Sequence, residues 1–342
     1  MSADLRDSRG FTLIELMIST TIVLIILGGA LTAFRNGLNV NDAATEIGDS
    51  SQNLRAGTDL MVRDLLQTGA GIPTGGIPLP AGAGATAINR PSPPGTTLTF
   101  DASLGVLPAV SPGAGIGPVI DGQATDMVTL LYADATLSLN QTPLTAIATD
   151  GSSMTVDAGT PITDTDNGIE VGDLIMFSNA LGNALQMVTR VSGGQTVYFD
   201  AGDPMNLNQR GAAAGTIMQL QSGGGAFPPT TATRVEMITF YVDPTTTPGT
   251  PRLVRQVAFG PALALAGVIE DLQISYDLVD DVTNPTDVKA PVAPNTPSQI
   301  RKVNLHIGVR SADRLAQLGD YLRTHLNTQV SLRNLAFVDR YQ

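Results

Sequence analysis

The sequence predicts an α+β fold in which a long N-terminal helix precedes a β-rich head. Three observations support this prediction. One ionisable side chain, Glu15, interrupts the apolar run over residues 11–34. Apolar residues then recur at helical spacing as far as Gln67. Pro73 and several glycines from Gly69 onward end the pattern. Beyond residue 96, short segments alternate apolar and polar residues between turns rich in glycine and proline.

The composition excludes several classes of function. The 342 residues carry 19 Lys and Arg against 31 Asp and Glu, a formal net charge of −12, so bulk binding of nucleic acid is not expected. There is no cysteine, which removes disulfides, thiolate metal sites and cysteine nucleophiles. The sequence contains no phosphate-binding loop, dinucleotide-binding fingerprint, serine-hydrolase elbow or zinc-protease motif. We therefore expect a protein that is not an enzyme.

The apolar run over residues 11–34 is long enough to cross a membrane. As a helix it would measure about 36 Å, against a bilayer core of about 30 Å. Arg6 and Arg9 precede the run, whereas Asp42 and Glu46 follow it. The positive-inside rule then predicts a cytoplasmic N-terminus and a head on the other side of the membrane.

A cleaved secretory signal is the alternative interpretation of this run. The stretch VLIILGGALTA ends in small residues and offers a cleavage site around Ala30 or Ala33. Such a signal needs a positively charged start, but two aspartates here offset the two arginines, and Glu15 interrupts the apolar stretch. The sequence therefore favours an anchor over a secretory signal.

The segment RGFTLIELMIS resembles the processing signal of type IV prepilins and type II secretion pseudopilins. That signal is a short hydrophilic leader ending in glycine, then Phe-Thr-Leu-Ile-Glu, then an apolar helix. The resemblance implies that a prepilin peptidase removes a leader of residues 1–10 by cleaving after Gly10, and that Phe11 is then N-methylated. It also implies a pilin-like fold, with the long helix laid across an enlarged, antiparallel β-rich head.

The resemblance gives Glu15 a physical role in assembly. A charged side chain at the centre of a bilayer costs about 2.5–3.5 kcal/mol by insertion scales, so an acid in this run needs compensation. Cleavage would expose an α-amino group on Phe11, which one subunit can offer to Glu15 of its neighbour as a counter-charge. Since breaking a buried pair costs about 3–5 kcal/mol, this salt bridge would favour assembly. A glutamate that simply reaches the headgroups is the alternative.

The rest of the chain is divided by composition. The helix is expected over 11–67, with its transmembrane segment at 11–34, a Gly/Pro-rich linker over 68–96, and the head over 97–342. Apolar side chains beyond the membrane repeat every seven residues and predict one packed helix face; they are Val40, Ile47, Leu54 and Met61.

Strands of the head are predicted from alternation. In RKVNLHIGVR the apolar and polar residues alternate cleanly, which predicts a strand over 302–309 with one buried face and His306 on the polar face. The second histidine, His325, is assigned to an exposed amphipathic segment. Further strands are predicted at 97–100, 126–132, 173–177, 185–191, 196–199, 216–220, 234–242, 252–259, 273–278 and 331–337.

An acidic loop, TDTDNGIEVGD, raises the question of a metal site. Calcium prefers clustered carboxylate and carbonyl oxygens, which makes Asp164, Asp166 and Asp173 weak calcium candidates. The EF-hand spacing fails, because Thr163 and Thr165 stand where acids belong. Solvated turns are the favoured interpretation, and no cofactor is expected.

Segments of the head also resemble W-type minor pilins and the related J-type minor pseudopilins. NLRAGTDLMVRDLLQTGAG resembles their helix end, VGDLIMFSNALGNALQMVTRV a hairpin of the W-type proteins, and VIEDLQISYDLVDD with IRKVNLHIGVRS their late strand pair. The resemblance implies a non-enzymatic, low-copy subunit that primes or caps the tip of a type IV pilus. Its implied partners are the prepilin peptidase, other minor pilins, the major pilin and the inner membrane.

Two alternative functions remain open at this point. A J-like pseudopilin of a type II secretion system would use the same anchor and processing. A membrane-tethered binding or adhesion module would use the anchor only to hold its head at the surface. For the favoured function the implied localisation is the inner membrane, in a single pass with a periplasmic head, followed by the pilus at the cell surface.

Overall fold

The computed structural model describes residues 11–137, 139, 141, 143–160, 162–164, 168–247, 249–311, 314 and 320–336. The chain forms two compact units. The described residues of one unit lie within Met1–Asp49 and Ser311–Leu322, and those of the other lie within Ser50–Arg310 and Arg323–Gln342.

The dominant element is helix α1, which runs without interruption from Leu13 to Gln67. Its 55 residues correspond to a length of about 82 Å. The large apolar side chains of its first part are exposed, from 77% at Leu13 to 49% at Leu38. By length and composition, α1 meets the requirements of a membrane-spanning helix.

The strands of the head are short, apart from a few long ones in two sheets. In chain order they are β1 (Ile77–Pro78), β2 (Asn89–Arg90), β3 (Leu98–Thr99), β4 (Val106–Leu107), β5 (Val110–Gly113), β6 (Val119–Ile120), β7 (Gln123–Ala124), β8 (Met127–Ala133), β9 (Ala146–Ile147), β10 (Ser153–Thr155), β11 (Leu174–Asn179), β12 (Gly182–Met187), β13 (Arg190–Ser192), β14 (Thr196–Tyr198), β15 (Thr231–Asp243), β16 (Arg252–Val257), β17 (Ala262–Gly267), β18 (Ile269–Leu278), β19 (Ile300–Arg310) and β20 (Arg323–Ser331). A short helix, α2 (Arg333–Ala336), follows β20.

The largest sheet has seven strands in antiparallel pairing. Its order is β12-β11-β15-β16-β17, with β8 also paired to β15 and β5 paired to β8. The 13-residue strand β15 organises this sheet, because its start pairs with β11, its middle pairs with β8 and its end pairs with β16. The predicted fold class, a long N-terminal helix followed by an antiparallel β-rich head, is confirmed.

A second sheet is formed by β18, β19 and β20. The predicted strand over 302–309 lies within β19, and its apolar residues Val303, Leu305, Ile307 and Val309 are buried as the alternation requires. Polar side chains occupy the other face, where the rings of His306 and His325 stack with centroids 5.3 Å apart.

The end of α1 packs into the head. Leu54, Met61 and Leu65 are buried, so the predicted apolar stripe contributes to the core from Leu54 onward. Val40 and Ile47, in the same stripe, are 60% and 40% exposed. Seven-residue spacing identifies a face of the helix but does not say how far along that face a packing partner extends.

Gly57 allows a close approach between α1 and strand β17. A Cβ atom at Gly57 would lie 3.1 Å from the Cβ of Ala266 and 3.4 Å from that of Leu265.

The C-terminal end of α1 is capped by a distant side chain. Asn334 Nδ2 donates to the carbonyl oxygens of Leu66 and Gln67, both at 3.1 Å. These two carbonyls belong to the last turn of α1, where carbonyl groups have no hydrogen-bond partner within the helix.

The segment over 68–96, predicted as a linker, is part of the folded head. It carries β1 and β2, and its apolar side chains Ile77, Leu79 and Ile88 are at most 2% exposed. The prediction was wrong because these three residues stand singly among glycines and prolines and give no periodic pattern.

Three predicted strands also differ from the structure. The strand predicted over 185–191 is divided between the end of β12 and the start of β13. Residues 217–220, predicted as part of a strand over 216–220, form a 3-10 helix with Thr216 as its N-cap. The Thr216 backbone N–H donates to Gln219 Oε1, and Thr216 Oγ1 accepts from the Met218 backbone N–H. The strand predicted over 331–337 is not formed. Ser331 is the last residue of β20, residues 333–336 form α2, and Phe337 lies outside the described residues. His325 lies in β20 itself, which sequence alternation did not reveal because most of its side chains are polar.

Candidate processing and assembly site

The first turn of α1 is closed by a reciprocal capping box between Thr12 and Glu15. The Thr12 backbone N–H and hydroxyl both donate to Glu15 Oε2, at 3.0 and 2.9 Å. The Glu15 backbone N–H donates to Thr12 Oγ1 at 3.3 Å, and the Thr12 carbonyl accepts from Leu16 N at 3.2 Å. Thr12 is thus the N-cap residue and Glu15 the third helical residue, as in the S/T-x-x-E pattern.

This cap was missed at the level of sequence, although its signal was present. The letters TLIE at 12–15 fit the capping-box pattern directly. The interpretation of Glu15 as a partner for a neighbouring subunit does not include this local role in capping. Both described bonds fall on Oε2, so capping uses one of the two carboxylate oxygens.

Three threonine hydroxyls of the apolar run are bonded within the helix. Thr20 Oγ1 donates to the Leu16 carbonyl at 2.9 Å, and Thr21 Oγ1 donates to the Met17 carbonyl at 2.7 Å. Thr32 Oγ1 makes the same type of bond to the Gly28 carbonyl at 2.8 Å. Hydroxyls bonded in this way place no unsatisfied polar group on the helix surface. Glu15 differs from these threonines because it is the one ionisable side chain of residues 11–34.

The predicted site residues are placed only in part. Phe11 is the first described residue, and its side chain is 76% exposed. Glu15 lies in the first turn of α1 and is exposed. Gly10, the predicted cleavage residue, lies outside the described residues, as does the predicted leader over 1–10.

The acidic loop offers no assembled metal site in the part of the chain that the structure describes. Asp173 Oδ2 accepts from the Glu170 backbone N–H at 2.9 Å and lies 3.8 Å from Arg234 NH1. Burial raises the pKa of the Asp173 carboxyl, and bonding to Glu170 opposes that shift. The Asp164 carbonyl accepts from the Gly168 backbone N–H at 2.9 Å, and Asp166 is not among the described residues. Groups of three or more potential ligands are absent from the described chain.

The comparison with family models bears on the N-terminal residues. Residues 5–31 match the model described as a prokaryotic N-terminal methylation motif. The chain carries a prepilin-type methylation signal. The match spans the predicted cleavage position at Gly10 as well as Phe11 and Glu15, and the head lies outside it.

Comparisons of the whole chain with curated sequences and solved structures do not assign it to a family. Among curated proteins, no sequence matches this chain significantly. A type IV-like pilin from Thermus thermophilus matches 48% of this chain and 87% of its own length, with 11% sequence identity and a TM-score of 0.18. These values are too low to transfer the fold or function of that protein to this chain.

Proposed function

We propose that this chain is a non-enzymatic, membrane-anchored minor pilin that is processed after Gly10 and incorporated at low copy into a type IV pilus. The observation that carries the proposal is the methylation motif at residues 5–31, which overlaps an apolar run over residues 11–34 with Glu15 as its single acidic side chain, at the start of helix α1. The remaining steps concern processing, assembly and the position of the subunit in the filament.

Processing would create the partner that Glu15 needs. Cleavage after Gly10 leaves a free amino group on Phe11, which prepilin peptidase then methylates. Because Thr12 occupies Glu15 Oε2, the described bonds leave Oε1 for a donor from a neighbouring subunit. An ammonium placed there would neutralise the carboxylate in an apolar environment, where a charged hydrogen bond is strong.

The charge distribution supports a cytoplasmic N-terminus and a periplasmic head. Arg6 and Arg9 precede the apolar segment, and acidic residues follow it. The size of the head supports a place at the tip, as in W-type minor pilins, because a bulky head is easier to accommodate there than in a repeating lattice. In this role the subunit primes assembly together with other minor pilins and the major pilin.

The processing step is tested by N-terminal sequencing of the protein purified from its host membranes. We expect the mature chain to begin with N-methylated Phe11. A chain that still begins at Met1, or that begins after Ala30 or Ala33, would contradict the proposal.

The assembly step is tested with variants that separate the two roles of Glu15. Glu15→Gln keeps a capping residue at this position but removes the charge, whereas Thr12→Ala removes the cap and keeps the charge. We expect Glu15→Gln to be processed and membrane-inserted but depleted in sheared pili, and Thr12→Ala to be incorporated. Asp42→Ala, which removes an acid further along α1, is the matched control. Normal incorporation of Glu15→Gln would refute the charge-pairing role.

A pseudopilin of a type II secretion system is the second candidate, because the same N-terminal motif serves both machines. The two are distinguished by deleting the gene and measuring piliation and secretion of exported enzymes in parallel. We expect loss of pili with secretion intact; the reverse result would assign the chain to secretion.

A further inference from the structure

A cleft in the head, remote in sequence from the helix that carries the proposed assembly function, has the features of a small-molecule site. Its volume is about 340 Å³, within the range of ligand pockets. The walls come from the chain around Phe100 to Pro112 and from the segment over 290–297, and Arg90 is also among the lining residues.

Arg90 is a buried cation without a described counter-charge. It is 4% exposed, and its three described hydrogen bonds all go to neutral oxygens. Nε donates to Thr129 Oγ1 at 3.1 Å, NH1 to the Pro112 carbonyl at 2.8 Å, and NH2 to the Ser111 carbonyl at 2.8 Å. Burial lowers the pKa of Arg90 to about 10, which reflects the loss of solvent around the charge.

These three bonds hold the guanidinium in place without neutralising it. They use three of the five N–H groups of the side chain and leave one on each terminal nitrogen. No salt bridge joins Arg90 to a carboxylate within the described residues. Buried charges in proteins are ordinarily paired, so an uncompensated one beside a cleft points to an anionic ligand.

A second buried polar group lines the same cleft. Ser111 is 6% exposed, and its Oγ has no hydrogen-bond partner in the part of the chain that the structure describes. A buried hydroxyl left unpaired costs about 1–3 kcal/mol, a cost that a ligand oxygen at this position would remove. Ser111 is a neighbour of Arg90, since its carbonyl accepts from NH2.

The buried part of the remaining walls is apolar. Phe100 and Leu107 are buried, and the centroid of the Phe100 ring lies 5.6 Å from Arg90 Cζ. Proline contributes no backbone N–H, and five prolines line the cleft: Pro108, Pro112, Pro291, Pro294 and Pro297. Four further polar residues line the cleft, Asp101, Ser103, Asn295 and Thr296, but none of them is buried, and the Asp101 carboxylate accepts from the Ser103 backbone N–H at 2.9 Å. The buried polar groups of the cleft are therefore Arg90 and Ser111.

We propose that this cleft binds a ligand with one carboxylate and a small apolar body. The carboxylate lies against Arg90 and Ser111, and the body packs against Phe100, Leu107 and the prolines. A carboxylate suits the site better than a phosphate because one buried cation compensates one negative charge, and because guanidinium groups bind carboxylates in a fixed geometry. The carboxylate can belong to a free acid or to the C-terminus of a peptide.

The test compares an acid with its neutral isostere on the purified full-length chain in detergent. The probes are 3-phenylpropionate and 3-phenylpropionamide, followed by calorimetry and by saturation-transfer NMR. We expect the acid to bind about tenfold more tightly than the amide, as one charged hydrogen bond allows. Equal binding of the two probes, or no binding of either, would overturn the proposal.

Two variants assign the binding to the cleft without removing Arg90, whose bonds hold three segments of the fold together. Ser111→Ala should weaken the acid about threefold to tenfold and leave the amide unchanged. Leu104→Asp places a negative charge at the lining of the cleft and should weaken the acid further, whereas Val119→Asp makes the same change at an exposed position elsewhere. Unchanged affinity of the acid in both cleft variants would place its binding elsewhere and refute the assignment.

A second pair of probes distinguishes the source of the carboxylate. A tripeptide ending in Pro-Phe with a free C-terminus is compared with its amidated form. Tighter binding of the free tripeptide than of 3-phenylpropionate identifies a chain terminus as the ligand, and weaker binding identifies a small acid. These measurements involve no pilus, so their outcome is independent of the incorporation experiments.

Discussion

Arg255 in strand β16 donates from Nε to Oδ2 of Asp64 in helix α1, across 2.7 Å. The side chain of Asp64 is 5% exposed and that of Arg255 is 19% exposed. A carboxylate buried to this degree needs a counter-charge. The pair therefore ties the end of the helix to the largest sheet, over a sequence separation of 191 residues.

Arg255→Gln should destabilise the head by about 3 kcal/mol, because it leaves the Asp64 carboxylate buried without its cation. The free energy of unfolding is measured by urea denaturation of the purified chain. Adding Asp64→Asn to this variant should recover part of the loss. Arg252→Gln, at an exposed position of the same strand, is the control and should change stability little. A loss in the control as large as that in Arg255→Gln would contradict the role of the ion pair.

Asn334→Ala should weaken the last turn of α1. Its amide donates to the carbonyls of Leu66, Gln67 and Thr68, which then lose a common partner. We expect a loss of about 1–2 kcal/mol in the free energy of unfolding. Hydrogen exchange should also become faster in the last turn of the helix. Arg333→Ala changes the exposed neighbour and should have neither effect; unaltered exchange in Asn334→Ala would show that the cap is dispensable.

Glu236→Gln should stabilise the head at neutral pH. Burial raises the pKa of Glu236, with the nearby Asp134 and Asp173 acting in the same direction. A carboxyl whose pKa is higher in the folded state binds its proton more tightly there, so its contribution to stability falls as the pH rises from the unfolded value of 4.5 through the folded one.

The variant removes this titration. Its advantage over the unchanged chain should be largest near pH 7 and should shrink toward pH 4, as measured by urea denaturation across that range. Glu170→Gln, at an exposed acid in the same region of the head, serves as the control. A pH-independent difference between Glu236→Gln and the unchanged chain would exclude this origin.

Thr12→Ala should loosen the start of α1, whereas Thr12→Ser should not, because serine also caps helices well. Loss of an N-cap hydroxyl costs about 1 kcal/mol of helix stability. Hydrogen exchange of the chain in detergent should show faster exchange at the Glu15 and Leu16 amides in the alanine variant only. Equal protection in the two variants would show that the capping box does not stabilise this end.

The elements with strong periodic patterns were predictable from sequence. Helix α1 and strand β19 follow from apolar spacing that extends over many residues, and the position of Glu15 in a known processing signal was plain. Strand β20 was not recognised, because Leu326 and Val330 are its only large apolar residues and the buried face of its sheet lies mostly on β18 and β19.

The missed contacts share a different cause, which is distance along the chain. The residues next to Asp64 and Arg255 in the sequence show no pattern that predicts their ion pair. The same is true of Arg90, whose lack of a counter-charge becomes visible only when its surroundings are known. Local patterns report on faces of helices and strands, while ion pairs and clefts depend on the topology that brings remote residues together.

The cap at the end of α1 also has a consequence for biogenesis. Asn334 lies 266 to 268 residues beyond the carbonyls it bonds. During synthesis the helix emerges early, but its last turn must wait for nearly the whole chain before this bond can form. Translation at about 5–20 residues per second makes that delay about 13–54 s. Through that interval the last turn of α1 lacks this cap.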